Sequence, residues 1–136
     1  MRTIVACFAL LSCMQASVCL AADADCADGK TGAVHRECLD ALATKTGGEV
    51  GRLEGQLRSR IALWEREPAD IRRSLALFEQ DRDAYRTYRQ AHCALQSSSA
   101  AHRNDADDTR IACGIDLDRG RIAAIKVAMT GFDPGD

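Results

Sequence analysis

A chain of 136 residues has room for one domain, and its net charge of -2 excludes the basic field that nucleic-acid binding requires. Charged residues make up 28% of the chain and aromatics only 4%, so a soluble fold must build its core mainly from Leu, Ile, Val and Ala. Lys30, Lys45 and Lys126 are the only lysines; the other basic residues are arginines interspersed with acids.

Arg2 is followed by an apolar run over residues 3–11 and by small residues at 21–24, the layout of a secretory signal. Cleavage is expected after Ala21 or Ala24, which makes 1–24 the signal peptide and 25–136 one exported domain. A competing reading takes Leu10-Leu11-Ser12-Cys13 as a lipobox and Cys13 as a lipidated anchor. The apolar run is shorter than the ~20 residues that span a bilayer, so membrane association is expected only through a lipidated Cys13.

Of the seven cysteines, Cys7, Cys13 and Cys19 fall in the signal. Cys26, Cys38, Cys93 and Cys113 remain, an even number in a chain expected to meet an oxidising compartment. Spacing favours the local pairing, Cys26 with Cys38 and Cys93 with Cys113. The alternative, a four-thiolate metal site, lacks the short C-x2-4-C spacing such sites favour.

In chain order, Asp28-Gly29 and Thr31-Gly32 read as turns. Val34, Cys38 and Leu42 then share one helical face, and Gly47-Gly48 is expected to break the helix. Val50, Leu53, Leu57, Ile61 and Trp64 recur at the spacing of a single face, with Trp64 read as a packing residue at or near the core. Glu67-Pro68 ends that helix and starts the next, where Asp70 suits the positive end of the helix dipole.

The apolar face of this next helix reads Ile71, Leu75, Phe78, Tyr85, Tyr88 and Leu95, interrupted by Arg82 and Arg89. Residues 97–108 form a polar, acid-ended loop in which Asp107 or Asp108 can cap a last helix beginning near Thr109. That helix lines up Ile111, Ile115, Ile122, Ile125 and Met129, with Asp118 inside the stripe. A charge in an apolar seam must be paired, so Asp118 is expected to meet Arg89 or Arg82 across the hairpin. Gly131 and Pro134-Gly135 stop the chain. The fold class is all-α: a small disulfide-stapled bundle of three to four antiparallel helices.

No motif for catalysis stands out. His92 and Cys93 are helix neighbours pointing about 100° apart, and a disulfide would consume the thiol. The three histidines, His35, His92 and His102, have no metal-binding spacing, and the serine run lacks a nucleophile elbow. No enzyme activity and no cofactor are expected.

Three groups of residues carry a family resemblance. They are Cys26 and Cys38 with the acids before them; Tyr85, Tyr88, Arg89 and Cys93 in an aromatic-x-x-Tyr-Arg-x-x-x-Cys run; and Cys113, Arg121 and Ile125 in the last helix. The pattern resembles the LprI-type lysozyme inhibitor N-terminal domain family, small exported helical proteins of bacteria, and covers nearly all of 25–136. It departs from that family at Tyr85, where the family has tryptophan, at Gln90 for aspartate, at Arg82 for glutamine, and in its Ser- and Asp-rich loop.

The resemblance implies a binding protein, with Tyr85, Tyr88, Arg89, Asp118 and Arg121 as its structural motif. Asp105, Asp107 and Asp108 on the disulfide-tethered loop are then the expected contacts with the basic surface or glycan cleft of a lysozyme. The alternative is an envelope structural or stress-related protein that binds another envelope protein through its helical faces. Either places the chain in the periplasm or outside the cell.

Overall fold

The computed structural model describes residues 25–26, 32–64, 66–100 and 105–132. The expected signal peptide, Cys13, the Asp28-Gly29 turn and Pro134-Gly135 lie outside the described residues. The described residues form three long α-helices and no strand: α1 (Ala33–Ala62), α2 (Pro68–Ser99) and α3 (Ala106–Thr130). They run up, down and up. Helix α3 packs against both others, while α1 and α2 touch each other least.

Helix α1 is continuous for 30 residues, about 45 Å, through Gly47 and Gly48. The expected break is absent because the apolar stripe continues on both sides of the pair, with Leu39 and Val50 both buried against other elements. Tertiary burial outweighs a glycine cost of about 1 kcal/mol per residue. The first face of α1 is also rotated from expectation: Leu39 is fully buried, whereas Val34 is exposed.

Helix α1 ends at Ala62, before the expected stop at Glu67-Pro68, so Trp64 lies beyond the helix; only the start of α2 at Pro68 is as expected. Leu63 donates its amide back to Ser59 and Arg60, and Pro68 occupies the first turn of α2, where a missing N–H costs nothing. Asp70 lies in that first turn as expected. Trp64 packs edge-to-face on Phe132 with centroids 5.0 Å apart, closing the base of the bundle.

Helix α2 runs further than its sequence suggests. Residues 97–99 are helical because each serine hydroxyl finds a carbonyl: Ser98 donates to Leu95, Ser99 to Gln96, and Ser97 across the connection to Ala106. Helix α3 correspondingly begins at Ala106 rather than near Thr109.

The apolar core has two parts. Val50, Leu53, Leu57, Ile61, Phe78 and Ile125 form the larger cluster, with Leu75, Ile122 and Met129 packed onto it. Cys26, Leu39, Ala112 and Ile115 form the smaller one at the opposite end. Each fully buried Leu or Ile contributes roughly 1.5–3 kcal/mol. The expected disulfides join Cys26 to Cys38 and Cys93 to Cys113, and both lie at the smaller cluster's end. Among the described residues no staple lies beside the larger core.

Gly48 lies mid-helix with open space where a Cβ would project. Gly48→Ala is therefore expected to raise stability by about 0.5–1 kcal/mol, read as a higher urea midpoint; a helix broken at Gly48 in a left-handed turn would instead lose stability.

Candidate functional site

Two groups of polar residues stand out, one inside the bundle and one at its stapled end. The inner group is centred on Asp118, which is only 3% exposed. Arg89 forks onto its carboxylate, Nε to Oδ1 at 2.8 Å and Nη2 to Oδ2 at 3.0 Å, and the Tyr85 hydroxyl donates to Oδ1 at 2.6 Å. The pairing expected for Asp118 is thus made with Arg89. Arg82, the other candidate, turns to Glu79 and Asp83 on its own helix.

Space for this fork comes from glycine. A Cβ at Gly114, one turn before Asp118 on α3, would lie 2.6 Å from Arg89 Nη2. An alanine there would displace a guanidinium that is tied down at both nitrogens, so Gly114 is part of the arrangement. On the facing side, Gly47 of α1 sits close to Asp118 Oδ2, where a Cβ would make an ordinary 3.9 Å contact.

The network continues toward the larger core. Arg121 lies over the Tyr85 ring at 5.1 Å and reaches Glu54 of α1 at 3.2 Å and Asp81 of α2 at 2.6 Å. Arg86 approaches the other Glu54 oxygen at 3.8 Å. Glu54 is buried, so Arg121 supplies the charge that makes its burial tolerable. Of the motif residues, Tyr85, Arg89, Asp118 and Arg121 come together, whereas Tyr88 points away, half exposed and stacked on His92.

Burial raises the pKa of Tyr85 well above its ordinary value, and the hydrogen bond to Asp118 and that carboxylate's charge push the same way; Arg89 and Arg121 oppose them weakly. The phenol stays protonated, as its role of donor to Asp118 demands.

The second group is acidic. Asp105 occupies the N-cap position of α3 but makes no side-chain cap, and Asp107 and Asp108 lie in the first helical turn rather than in the loop. The expected cap by Asp107 or Asp108 is not formed, because the helix starts before them; both still favour the positive end of the dipole. Asp108 is turned inward to Arg36 and to His35 Nδ1, the latter at 3.3 Å. Asp107 points outward, its side chain 62% exposed, with Arg110 at 3.3 Å.

His35, Gln96, Asp105, Asp108 and Thr109 line a polar hollow of about 240 Å³ beside the Cys93–Cys113 bond. His92 meets Gln96 at 3.3 Å and stacks on Tyr88, while its neighbour Cys93 is held in the disulfide.

Sequence reasoning found Asp118 through its misfit in an apolar stripe. It missed Glu54 and Gly114. Glu54 lies off the apolar stripe of α1, where a charge is ordinarily solvated, and the approach of α3 with Arg121 covers it. Comparison of the chain with family models, curated proteins and solved structures finds no match.

Two outcomes follow from the inner network. Asp118→Asn and Arg89→Gln should each cost about 2–3 kcal/mol, and the double variant should cost less than their sum by about 1–3 kcal/mol in urea unfolding. Strict additivity would show that the fork contributes nothing.

The second outcome concerns alkali. Below about pH 10 the Tyr85 phenol is protonated in both folded and unfolded chains, so its stabilisation is fully present. Above that pH the unfolded chain releases the proton first, and stability falls until the folded phenol also ionises. The urea midpoint should drop more steeply above about pH 10 in the wild type than in Tyr85→Phe, and the two should run parallel below it.

Proposed function

We propose that the chain is an exported, non-catalytic binding protein resembling lysozyme inhibitors, and that it blocks lysozyme with the acidic turn at its stapled end. The observation that carries this reading is the position of Asp107, exposed on the first turn of α3 at the end where both disulfides gather. Two disulfides fit an oxidising, non-cytoplasmic compartment. No helix among the described residues is long and apolar enough to cross a membrane.

The physical case is preorganisation. Cys26–Cys38 ties the segment before α1 to that helix, Cys93–Cys113 ties α2 to α3, and Arg36 with His35 ties α1 to Asp108. A turn held at so many points loses little further entropy on binding, and its negative charge steers it toward a basic surface. Among the three acids, Asp108 serves the scaffold, while Asp105 and Asp107 are the proposed contacts with the basic surface or glycan cleft of a lysozyme. The inner network holds α2 and α3 in register so that the turn is presented rigidly.

A second reading, an envelope interaction protein without lysozyme activity, is favoured by exposed apolar side chains on α2, among them Tyr88 and Leu95. Peptidoglycan clearing by lysozyme separates the two. The purified protein is expected to slow clearing, and the Asp105→Asn, Asp107→Asn double variant to weaken inhibition about tenfold, equivalent to ~1.4 kcal/mol, while staying fully folded at the assay temperature with a melting temperature only about 5 °C lower. Undiminished clearing at saturating protein would reject the inhibitor reading; full inhibition by the double variant would reject the acidic turn.

A further inference from the structure

Helix α2 has a second apolar face that no described element covers. Phe78, Tyr85, Arg89 and Cys93 face α1 and α3. Leu77, Ala84, Tyr88, Ala91 and Leu95 lie roughly 100° around the helix from them, in one line. Leu77 is 56% exposed, Tyr88 54% and Leu95 70%, and both alanines are exposed. With Asp81 between the first two, the spacings alternate four and three, the repeat of a coiled-coil seam.

This explains the misassignment of Tyr88 and Leu95 to the core face. At about 100° per residue, they drift off the line of Phe78 onto the other stripe.

We propose that this seam is the interface of an antiparallel homodimer of the chain. Its pattern matches itself when reversed. In an antiparallel copy centred on Arg86, Leu77 meets Leu95 of the second copy toward each end of the seam, and near its centre Ala84 meets Tyr88, a small side chain opposite a large one. Asp81 falls opposite Ala91. The small-against-large contact lets the two helices interlock at the centre, and the leucine pairs close the seam at its ends.

Charge supports the same occupant. The seam from Leu77 to Leu95 contains one ionised residue, Asp81, and Arg121 of the same chain meets it at 2.6 Å. Gln80, Thr87 and Ala94 on the outer flank are uncharged. A second copy therefore brings no like charges together, and the depletion of charge is what the centre of a protein interface requires. Arg72, Arg73, Asp83, Arg86 and Gln90 keep the rest of the exposed helix polar.

The seam is about 27 Å long and would bury roughly 1,000 Å² over both copies, near the lower limit for a specific interface. The dimer is thus a reversible one, with a dissociation constant on the order of 10–100 µM. This inference does not rest on lysozyme binding. The acidic turn lies at the stapled end and stays clear of the seam's centre, so the two can fail separately.

Sedimentation equilibrium of the mature protein from about 5 µM to 1 mM is the test. The wild type is expected to shift from monomer to dimer, and Tyr88→Glu with Leu95→Glu to remain monomeric throughout while keeping the wild-type circular dichroism spectrum and lysozyme result. Thr87→Cys, close to the proposed twofold axis, is expected to give a covalent dimer on mild oxidation, and Arg72→Cys to give little. A wild type that stays monomeric at about 1 mM, which would leave the face to a different protein, overturns the proposal, as does a double-glutamate variant that dimerises like the wild type.

Discussion

The bidentate contact of Arg89 with Asp118 fixes α3 against α2, and α1 packs over it at Gly47. A carboxylate this deeply buried is tolerated only while its hydrogen bonds are complete, and the three it receives come from two successive turns of α2. Sliding α3 along α2 by one turn would leave Asp118 unpaired against apolar side chains. The aliphatic stripes alone impose no such restriction, since Ile, Leu and Val repeat every three or four residues and many registers bury similar area. The fork therefore selects among packings that the hydrophobic effect leaves nearly equal.

Around that contact the molecule divides by the kind of force that holds it. Toward the α1–α2 turn, Leu53, Leu57, Ile61, Phe78 and Ile125 supply enough apolar area for cohesion without covalent help. Toward the α2–α3 connection the core thins to Leu39, Ala112 and Ile115 beside Cys26, and the chain there is secured by two disulfides and by Asp108 with Arg36 and His35. A small domain with a limited core gains most from cross-links where burial is poorest. The stapled end is consequently both the least apolar and the most constrained, a suitable base for a turn that binds by charge.

The two exposed surfaces carry different chemistry. The first turn of α3 is anionic and compact; the outer face of α2 is apolar, long and nearly free of net charge. One suits a basic partner and the other a helix. Neither requires the inner network to move, and Tyr85, Glu54 and Arg121 serve both by keeping the helices that bear them rigid.

The all-helical class, the start of α2 at Pro68, the local disulfide pairing, the stripe of α3 and the second half of the α1 stripe were legible in the sequence, because helical periodicity, proline and cysteine spacing act over a few residues. The pairing of Asp118 was legible too, as a charge that an apolar stripe could not hold alone, though not the choice of Arg89 over Arg82. What tertiary structure alone decided depends on neighbours distant in the chain. Gly47-Gly48 continues a helix because burial on both sides outweighs local propensity. Ser98 and Ser99 bond back to carbonyls of α2 while Ser97 bonds across to Ala106, Glu54 becomes buried under Arg121, and Gly114 leaves room for the width of a guanidinium. Tyr88 and Leu95 share a periodicity with the core face and still lie outside it, since a helix with two apolar stripes does not reveal from its own residues which one its neighbours will cover.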